Sequence, residues 1–294
     1  MKSRPSSKNS ASIGLLSLCL WSSLILGCSS STSPTFIKED IPSSIESICK
    51  KEYDIDVRAR LVGKTLWLYL PVEDMFEKSD KPEKFTEKFS IENDSVKFSA
   101  GSLKVEYLIQ AVPDKEKQQE YKYNKDVLEK NQKLWRALRR VIFSMGSSGE
   151  EPEFFVTVTA DVKNGFETKE VFYILDLKKV SYEFISWTEY QHRAISDMDI
   201  SHEIIADTDG NHLDYKDMTL EEFLGMQIQQ RIKLKFQKPE VEKGADIDKE
   251  VMKIVAYTFN TYGFKDFSSV ELSNLATNSL TVLNQAAVLS RPID

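Results

Sequence analysis

Cysteine and histidine are scarce in this sequence, with three residues of each among 294. Zinc sites need several nitrogen, sulfur or carboxylate ligands that converge, and His192, His202 and His212 match no common ligand spacing. The motifs Gly-x-Ser-x-Gly and His-Glu-x-x-His and a phosphate-binding glycine loop are missing as well. We therefore predict no catalytic, cofactor-binding or metal-binding residue, and we expect the histidines at surface or turn positions.

Positive charge is also in deficit. The chain has 39 Lys and Arg against 46 Asp and Glu, a formal net charge of −7. An acidic protein is poorly suited to bind nucleic acid or to lie against an anionic membrane surface. Hydrophobic residues make up 41% of the chain, which is ordinary for a globular protein. These fractions predict an acidic folded body that does not bind nucleic acid.

Long apolar runs are missing except near the N-terminus. Three basic residues, Lys2, Arg4 and Lys8, precede an apolar stretch from Ala11 to Leu26 that several serines interrupt. A membrane-spanning helix needs about 20 predominantly apolar residues. This shorter and interrupted stretch, with a basic start, favours a signal peptide.

The end of that stretch reads Leu24-Ile25-Leu26-Gly27-Cys28 and resembles the lipobox of bacterial lipoproteins. The resemblance implies that residues 1–27 are removed, that Cys28 receives a thioether-linked diacylglycerol and that its new amino group is acylated. Several acyl chains make a durable membrane anchor, because each buried methylene contributes about 0.8 kcal/mol. The alternative is a plain secretory signal in which Cys28 has no role.

The residues after Cys28 fit an anchored protein. Ser29 stands where an aspartate would favour inner-membrane retention in enteric bacteria, so the sorting rule implies the outer membrane, facing the periplasm. Residues 28–40 form a Ser/Thr/Pro-rich tether. Because Cys19 leaves with the signal and Cys28 is modified, Cys49 has no intramolecular disulfide partner. We expect it to be buried and inert; an intermolecular bridge is the alternative.

Helices are predicted where apolar residues recur at helical spacing. The predicted helices cover Ile41 to Tyr53, Tyr123 to Met145, Leu220 to about Phe236, and a segment that begins at Asp246. Thr219 and Glu222 form a capping box for the third of these. Its residues Gln227, Gln230 and Arg231 are expected to point outward. In the second helix we expect the same of Lys133, Arg136, Arg139 and Arg140.

Strands are predicted where β-branched and aromatic residues cluster between turn signals. The predictions are a hairpin over Val57–Pro71 around Gly63, a β region from Val96 to Val112 that Pro113 ends, a hairpin over 154–175 with its turn at Asn164-Gly165, and a terminal hairpin around 277–279. A helix from Leu280 is the alternative to the last. Residues 73–92 are expected to form a covering loop or amphipathic turn, and residues 182–190 a strand, with helix as the alternative.

A helix followed by two strands occurs three times, near residues 42–70, 124–175 and 246–283. This order predicts an α+β fold, with antiparallel sheets built from hairpins and helices packed on one face. The folded body is expected to cover residues 41–294, with a subdivision near residues 146–150, where Gly146-Ser147-Ser148-Gly149 indicates a flexible link.

Two segments carry residues with chemical potential. Asp207-Thr208-Asp209-Gly210-Asn211 is similar to the first half of a calcium loop, but His212 and Met218 stand where that loop needs glycine and glutamate. A tight turn explains the segment without an ion. The aromatic group of Tyr182, Phe184, Trp187 and Tyr190 has the chemistry to stack on a sugar or a peptide. Packing in the core or on a sheet is the favoured interpretation.

The leading hypothesis is a lipid-anchored envelope protein with a non-catalytic binding or structural role. Its expected partners are the membrane, through the lipid on Cys28, and envelope proteins. The alternative is an envelope hydrolase with a site of dispersed carboxylates and histidines, which predicts a cleft with His192 or His202 beside two buried carboxylates. A calcium-stabilised domain is a third hypothesis.

Overall fold

The computed structural model describes residues 40–145, 151–237 and 241–290. The predicted lipid attachment residue Cys28 and the predicted link at residues 146–150 lie outside these ranges. The helices are α1 Ile41–Tyr53, α2 Lys125–Phe143, α3 Ile174–Ser181, α4 Trp187–His192, α5 Leu220–Gln237, α6 Ile247–Tyr262 and α7 Gln285–Leu289. The strands are β1 Arg58–Val62, β2 Thr65–Val72, β3 Phe76–Ser99, β4 Ser102–Tyr123, β5 Phe154–Asp161, β6 Phe166–Tyr173, β7 Ile195–Ile200, β8 Ser269–Asn274 and β9 Ser279–Asn284.

The fold is α+β and contains two sheets. The first sheet has the strand order β1-β2-β5-β6-β7, and the second has the order β3-β4-β8-β9. The predicted α+β class is confirmed, and the predicted threefold order of a helix and two strands is present as α1-β1-β2, α2-β5-β6 and α6-β8-β9.

The prediction of purely antiparallel sheets is wrong. Each sheet joins two antiparallel hairpins through one parallel pair, β2 with β5 in the first sheet and β4 with β8 in the second. A parallel pair needs a long crossover, and the chain between β2 and β5 contains β3, β4 and α2. Both sheets are therefore mixed.

The first sheet is buried on both faces. Leu66, Leu68 and Leu70 of β2 pack against α1, α2 and α3, while Trp67 and Tyr69 contact the opposite core under residues 204–223. Every residue of β5 is buried. Burying one such large apolar side chain contributes about 1.5–3 kcal/mol. The alternation along β2 therefore holds α1, α2 and α3 on one face and the 204–223 segment, which includes the start of α5, on the other.

Strands β3 and β4 form a long two-stranded ribbon that joins two cores. At its base the rings of Phe76 and Tyr123 lie 5.0 Å apart beside the first core. Near its tip Leu103 and Val105 belong to the core of the second sheet. The residues between, such as 115–122, are exposed. The prediction of a loop or turn at residues 73–92 is wrong, because β3 runs through most of this segment.

Pro113 does not end the β region as predicted. The pairing of the ribbon shifts between Glu87 and Phe89, so residues 112–114 of β4 lie opposite Lys88 alone. A proline cannot donate a ladder hydrogen bond, and sheets tolerate it at such irregularities. The strand continues past it to Tyr123.

Two of the predicted helix starts, at Thr219 and Asp246, are confirmed by their caps. In the capping box the Glu222 backbone N–H donates to Thr219 Oγ1 at 3.2 Å, and the Thr219 N–H donates to Glu222 Oε2 at 2.9 Å. Asp246 caps α6 by accepting from the Lys249 N–H at 3.0 Å. The favoured strand at residues 182–190 is wrong, because the segment turns at Glu183 and enters α4.

The two sheets meet through α5 and α6. The ring of Phe223 lies 5.2 Å from that of Phe154 in the first sheet. Gln227, predicted to point outward, is fully buried and donates to the backbone oxygen of Arg193. In the described ranges no helix is both long and apolar enough to cross a membrane.

Candidate ligand-binding cleft

The three histidines are not brought together. His192 lies at the end of α4, exposed, and lines a cleft. His202 is exposed in a short 3₁₀-helix, His202–Ile204. His212 is held in the 207–214 segment. Among the residues described, no group of three or more His, Cys, Asp and Glu side chains has the arrangement to hold a metal ion.

The 207–214 segment is a turn organised by Asp207. Its carboxylate accepts hydrogen bonds from the backbone N–H groups of Asp209 and His212, at 3.1 and 3.0 Å. Gly210 has φ 71°, and a Cβ there would lie 2.5 Å from the hydroxyl oxygen of Tyr215. Because local donors use the Asp207 oxygens, the favoured prediction of a tight turn describes the segment.

His212 is clamped between two carboxylates in this turn. Its Nδ1 lies 2.6 Å from Asp207 Oδ2, and its Nε2 lies 2.8 Å from Glu167 Oε2. Burial opposes protonation, but the hydrogen bonds with Asp207 and Glu167 outweigh it and raise the pKa of His212. A proton on the ring neutralises charge between the two acids, so the group holds the turn against β6.

The aromatic group at residues 182–190 divides in two. Tyr190 is 3% exposed and packs on Phe172 with ring centroids 5.7 Å apart. Tyr182, Phe184 and Trp187 are 63%, 78% and 56% exposed. Core packing is therefore correct for Tyr190 and wrong for the other three, and Trp187 stands at the rim of the cleft that His192 lines.

The fold has two halves, the first sheet with α1–α4 and the second sheet with α5–α7. That cleft lies between them and has a volume of about 1080 Å³. Helices α2 and α4 form one wall, α5 and α6 form the other, and side chains of the first sheet such as Phe172 and Ser196 form the floor. Ligand sites are typically concave, with volumes of about 300–1,000 Å³. The cleft is slightly larger than this range.

Five cationic side chains line the cleft. Arg136 and Arg139 come from α2, and Arg231, Lys235 and Lys253 come from α5 and α6. Among the described lining residues, the single carboxylate is Glu170 of β6. Lys235 and Lys253 both pair with Glu250, at 3.0 and 2.8 Å. Within the described residues, the cations of the lining without an ion pair are therefore Arg136, Arg139 and Arg231.

Glu170 occupies an apolar part of the cleft. Thr157 Oγ1 donates to its carboxylate at 3.3 Å. Burial outweighs this hydrogen bond and raises the pKa of Glu170, because the charged form is poorly solvated there. Burial therefore favours the protonated form of Glu170 more than in an exposed glutamate.

Buried polar atoms of the cleft wall lack a hydrogen-bond partner within the described part of the chain. They are the hydroxyl oxygen of Tyr190 and the Nε and Nη2 atoms of Arg231. Burying such a group without a partner costs about 1–3 kcal/mol. Unpaired buried groups are rare in native structures, so these three atoms are groups for which a bound ligand can supply the partner.

Comparisons with protein-family models, with curated proteins and with solved structures gave no match. The geometry of the chain itself therefore carries the functional interpretation.

The sequence does not single out most of the cleft residues. Its pattern assigns Arg136 and Arg139 to a solvated helix side and predicts that Arg231 points outward. Glu170 carries no signal, since it lies in a strand of alternating polar and apolar residues. The one available signal is the cluster of basic residues on α2 in an acidic chain.

Proposed function

We propose that this chain is a lipid-anchored protein of the bacterial cell envelope with a non-catalytic binding role. The lipid sits on Cys28, and the acidic body stands off the membrane on the residue 28–40 tether. The observation that carries the binding role is the cleft of about 1080 Å³, whose walls hold buried polar atoms without a partner. An anchored body with such a cleft is suited to hold a ligand close to the membrane.

The anchor is tested by the Cys28→Ser variant. The parent is expected to partition into the detergent phase and to carry the mass of a diacylated or triacylated cysteine. The variant is expected to keep its signal peptide or to lose both properties. Equal partitioning and an unmodified cysteine in the parent would show that Cys28 is not an anchor.

The binding role is tested by a photo-crosslinking residue introduced at Gln191, which is exposed and lines the cleft. Gln118 on the exposed ribbon is the matched control position. In intact cells, position 191 is expected to give a discrete adduct that position 118 does not give. A Ser196→Trp substitution, which fills part of the cleft, should abolish that adduct. The same adducts from both positions, or none from position 191, would contradict a ligand-binding cleft.

An envelope hydrolase is the second candidate, because Glu170 and His192 line the same cleft. A carboxylate pair is the usual requirement for glycoside hydrolysis, and Glu170 is the one carboxylate among the described lining residues. We therefore favour the binding role. If the cross-linked partner is cleaved by the parent and left intact by Glu170→Gln, the hydrolase is correct instead.

A further inference from the structure

We propose that the cleft binds a ligand through an oxyanion, a carboxylate or a phosphate, which Arg231 receives in its guanidinium fork. This inference rests on the proposed binding function and names the chemical class of its ligand. The ligand also carries an uncharged part, because the cleft is far larger than a single oxyanion.

Arg231 is held ready for such a group. Its guanidinium carbon lies 4.5 Å from the ring centroid of Tyr257. The Tyr257 hydroxyl donates to Glu189 Oε1 at 2.8 Å, which fixes the ring beneath the guanidinium. The Nε and Nη2 atoms of Arg231 are buried and have no hydrogen-bond partner in the described structure. Those two N–H groups form the edge that binds carboxylate or phosphate in a bidentate manner.

The α2 wall supplies two further cations. Arg136 and Arg139 line the cleft and have no ion-pair partner within the residues described. Arg140, on the same helix but outside the cleft, donates to Glu52 Oε1 at 2.6 Å. The chain has 46 acidic residues, yet within the described residues none of them forms an ion pair with Arg136, Arg139 or Arg231. This arrangement leaves a positive field inside the cleft that attracts an anion.

Neutral groups match the uncharged part of the ligand. The Tyr190 hydroxyl is buried without a partner at the wall, and the residue as a whole is 3% exposed. Trp187, at 56% exposure, offers a ring edge or face at the rim. A hydroxyl or carbonyl group of the ligand can pair with the Tyr190 hydroxyl, and an apolar face of the same ligand can stack on Trp187. An acidic sugar and a phosphorylated headgroup share this chemistry.

Three probes separate these sources in calorimetric titrations of the full mature chain. They are trigalacturonate for a carboxylated glycan, pyrophosphate for a phosphate group, and maltotriose as the neutral control. At least one anionic probe is expected to bind, and maltotriose is expected to bind at least about tenfold more weakly, since it lacks charge-assisted hydrogen bonds. Raising NaCl from about 50 to about 300 mM should weaken anion binding severalfold by screening.

The variants locate the binding site. Arg231→Gln is expected to weaken the anionic probe at least about tenfold, and Arg231→Lys to weaken it less, because lysine keeps the charge but lacks the fork. The double variant Arg136→Gln/Arg139→Gln alters exposed side chains and should weaken binding without loss of the folded state. Arg140→Gln is the matched control and should change affinity by less than about twofold.

The outcomes distinguish this inference from the binding function. The proposal of an oxyanion is overturned if maltotriose and trigalacturonate bind equally. It is also overturned if affinity is unchanged in both the Arg231→Gln and the Arg136→Gln/Arg139→Gln variants. A third result against the oxyanion is that none of the three probes binds although the cleft-dependent adduct at position 191 is present. If that adduct is missing too, the binding function itself is overturned.

Discussion

Arg193 donates from Nη1 to the carboxylate of Asp176 at 2.8 Å, and the Asp176 side chain is only 2% exposed. The same aspartate accepts from the hydroxyl of Tyr262 in α6 at 3.0 Å. Asp176 lies in α3, against the first sheet, whereas Tyr262 belongs to the helix pair that covers the second. One buried carboxylate therefore ties together the two halves of the fold that enclose the cleft.

Removing the arginine should destabilise the protein strongly. In Arg193→Met the buried Asp176 charge keeps the Tyr262 hydroxyl as a donor and the more distant Lys179 ammonium, at 3.6 Å. Loss of one partner of a buried ion pair costs about 3–5 kcal/mol, which urea unfolding measures. Lys163→Met is the control, since its pair with Asp74 is half exposed on both sides, and its unfolding midpoint should hardly move. Equal effects of the two substitutions would contradict a central role for Arg193.

The thiol of Cys49 should be inert in the native protein. Its side chain is fully buried in the first core, as the sequence predicted. Burial, and next to it the charge of Glu46, raise the pKa of Cys49 to about 12. In a Cys19→Ser/Cys28→Ser variant, we expect reaction with a disulfide reagent at pH 8 to be at least about a hundredfold slower before unfolding than after it, because the thiolate is the reactive form. Rapid native reaction would show that the helix α1 opens readily.

Local signals in the sequence predicted most helices and hairpins. The capping box at Thr219, the Asp246 cap and the Asn164-Gly165 turn each depend on neighbouring residues, so the sequence contains their whole cause. The ribbon of β3 and β4 was not predicted, because neither of its faces is fully buried along its middle. The Lys/Glu-rich segment around residues 78–87 therefore lacks the alternation of polar and apolar residues that indicates a strand. The parallel pairing of β2 with β5 was not predicted, because it joins segments about 90 residues apart in the chain.

The cleft could not be predicted from neighbouring residues in the sequence, for a related reason. A helix side that faces a ligand cavity and one that faces open water both carry arginine and lysine, so Arg136 and Arg140 look alike in the sequence. Only the approach of α5 and α6 to α2 separates them. Gln227 shows the same effect, since a polar residue on α5 is buried where the two halves of the fold meet.

Gly210 should be more sensitive to substitution than Gly263, a glycine with a similar φ. Gly263 has φ 63°, and no heavy atom lies within 4 Å of the place that a Cβ would occupy, so Gly263→Ala tests backbone strain alone, which costs about 1–2 kcal/mol. Gly210→Ala adds a clash with the side chains of Tyr215 and Tyr69, and overpacking costs about 1–3 kcal/mol more. Thermal unfolding of both variants measures the difference. Equal losses would show that the 207–214 turn yields easily.

The clamp on His212 should make stability depend on pH in a defined direction. The folded-state pKa of His212 is raised above the value of about 6.5 expected for the unfolded chain. Its stabilisation is therefore fully present below pH 6.5 or so and is lost as the pH rises through the raised pKa. Asp207 and Glu167 face the ring from both sides, and Tyr69 packs edge-on with centroids 5.9 Å apart.

The substitution His212→Gln measures how much the protonated ring of His212 contributes to the free energy of unfolding. Glutamine keeps a polar side chain but cannot take up a proton. The carboxylates of Asp207 and Glu167 are then left with no positive charge between them. Hydrogen bonds to charged groups contribute about 1.5–3 kcal/mol, and we expect a loss of that order in the free energy of unfolding at pH 6. The difference between parent and variant should shrink toward pH 9, where the parent ring is neutral too. His202→Gln, at an exposed histidine, is the control. A difference that is constant with pH would mean that His212 acts through its shape and not through its charge.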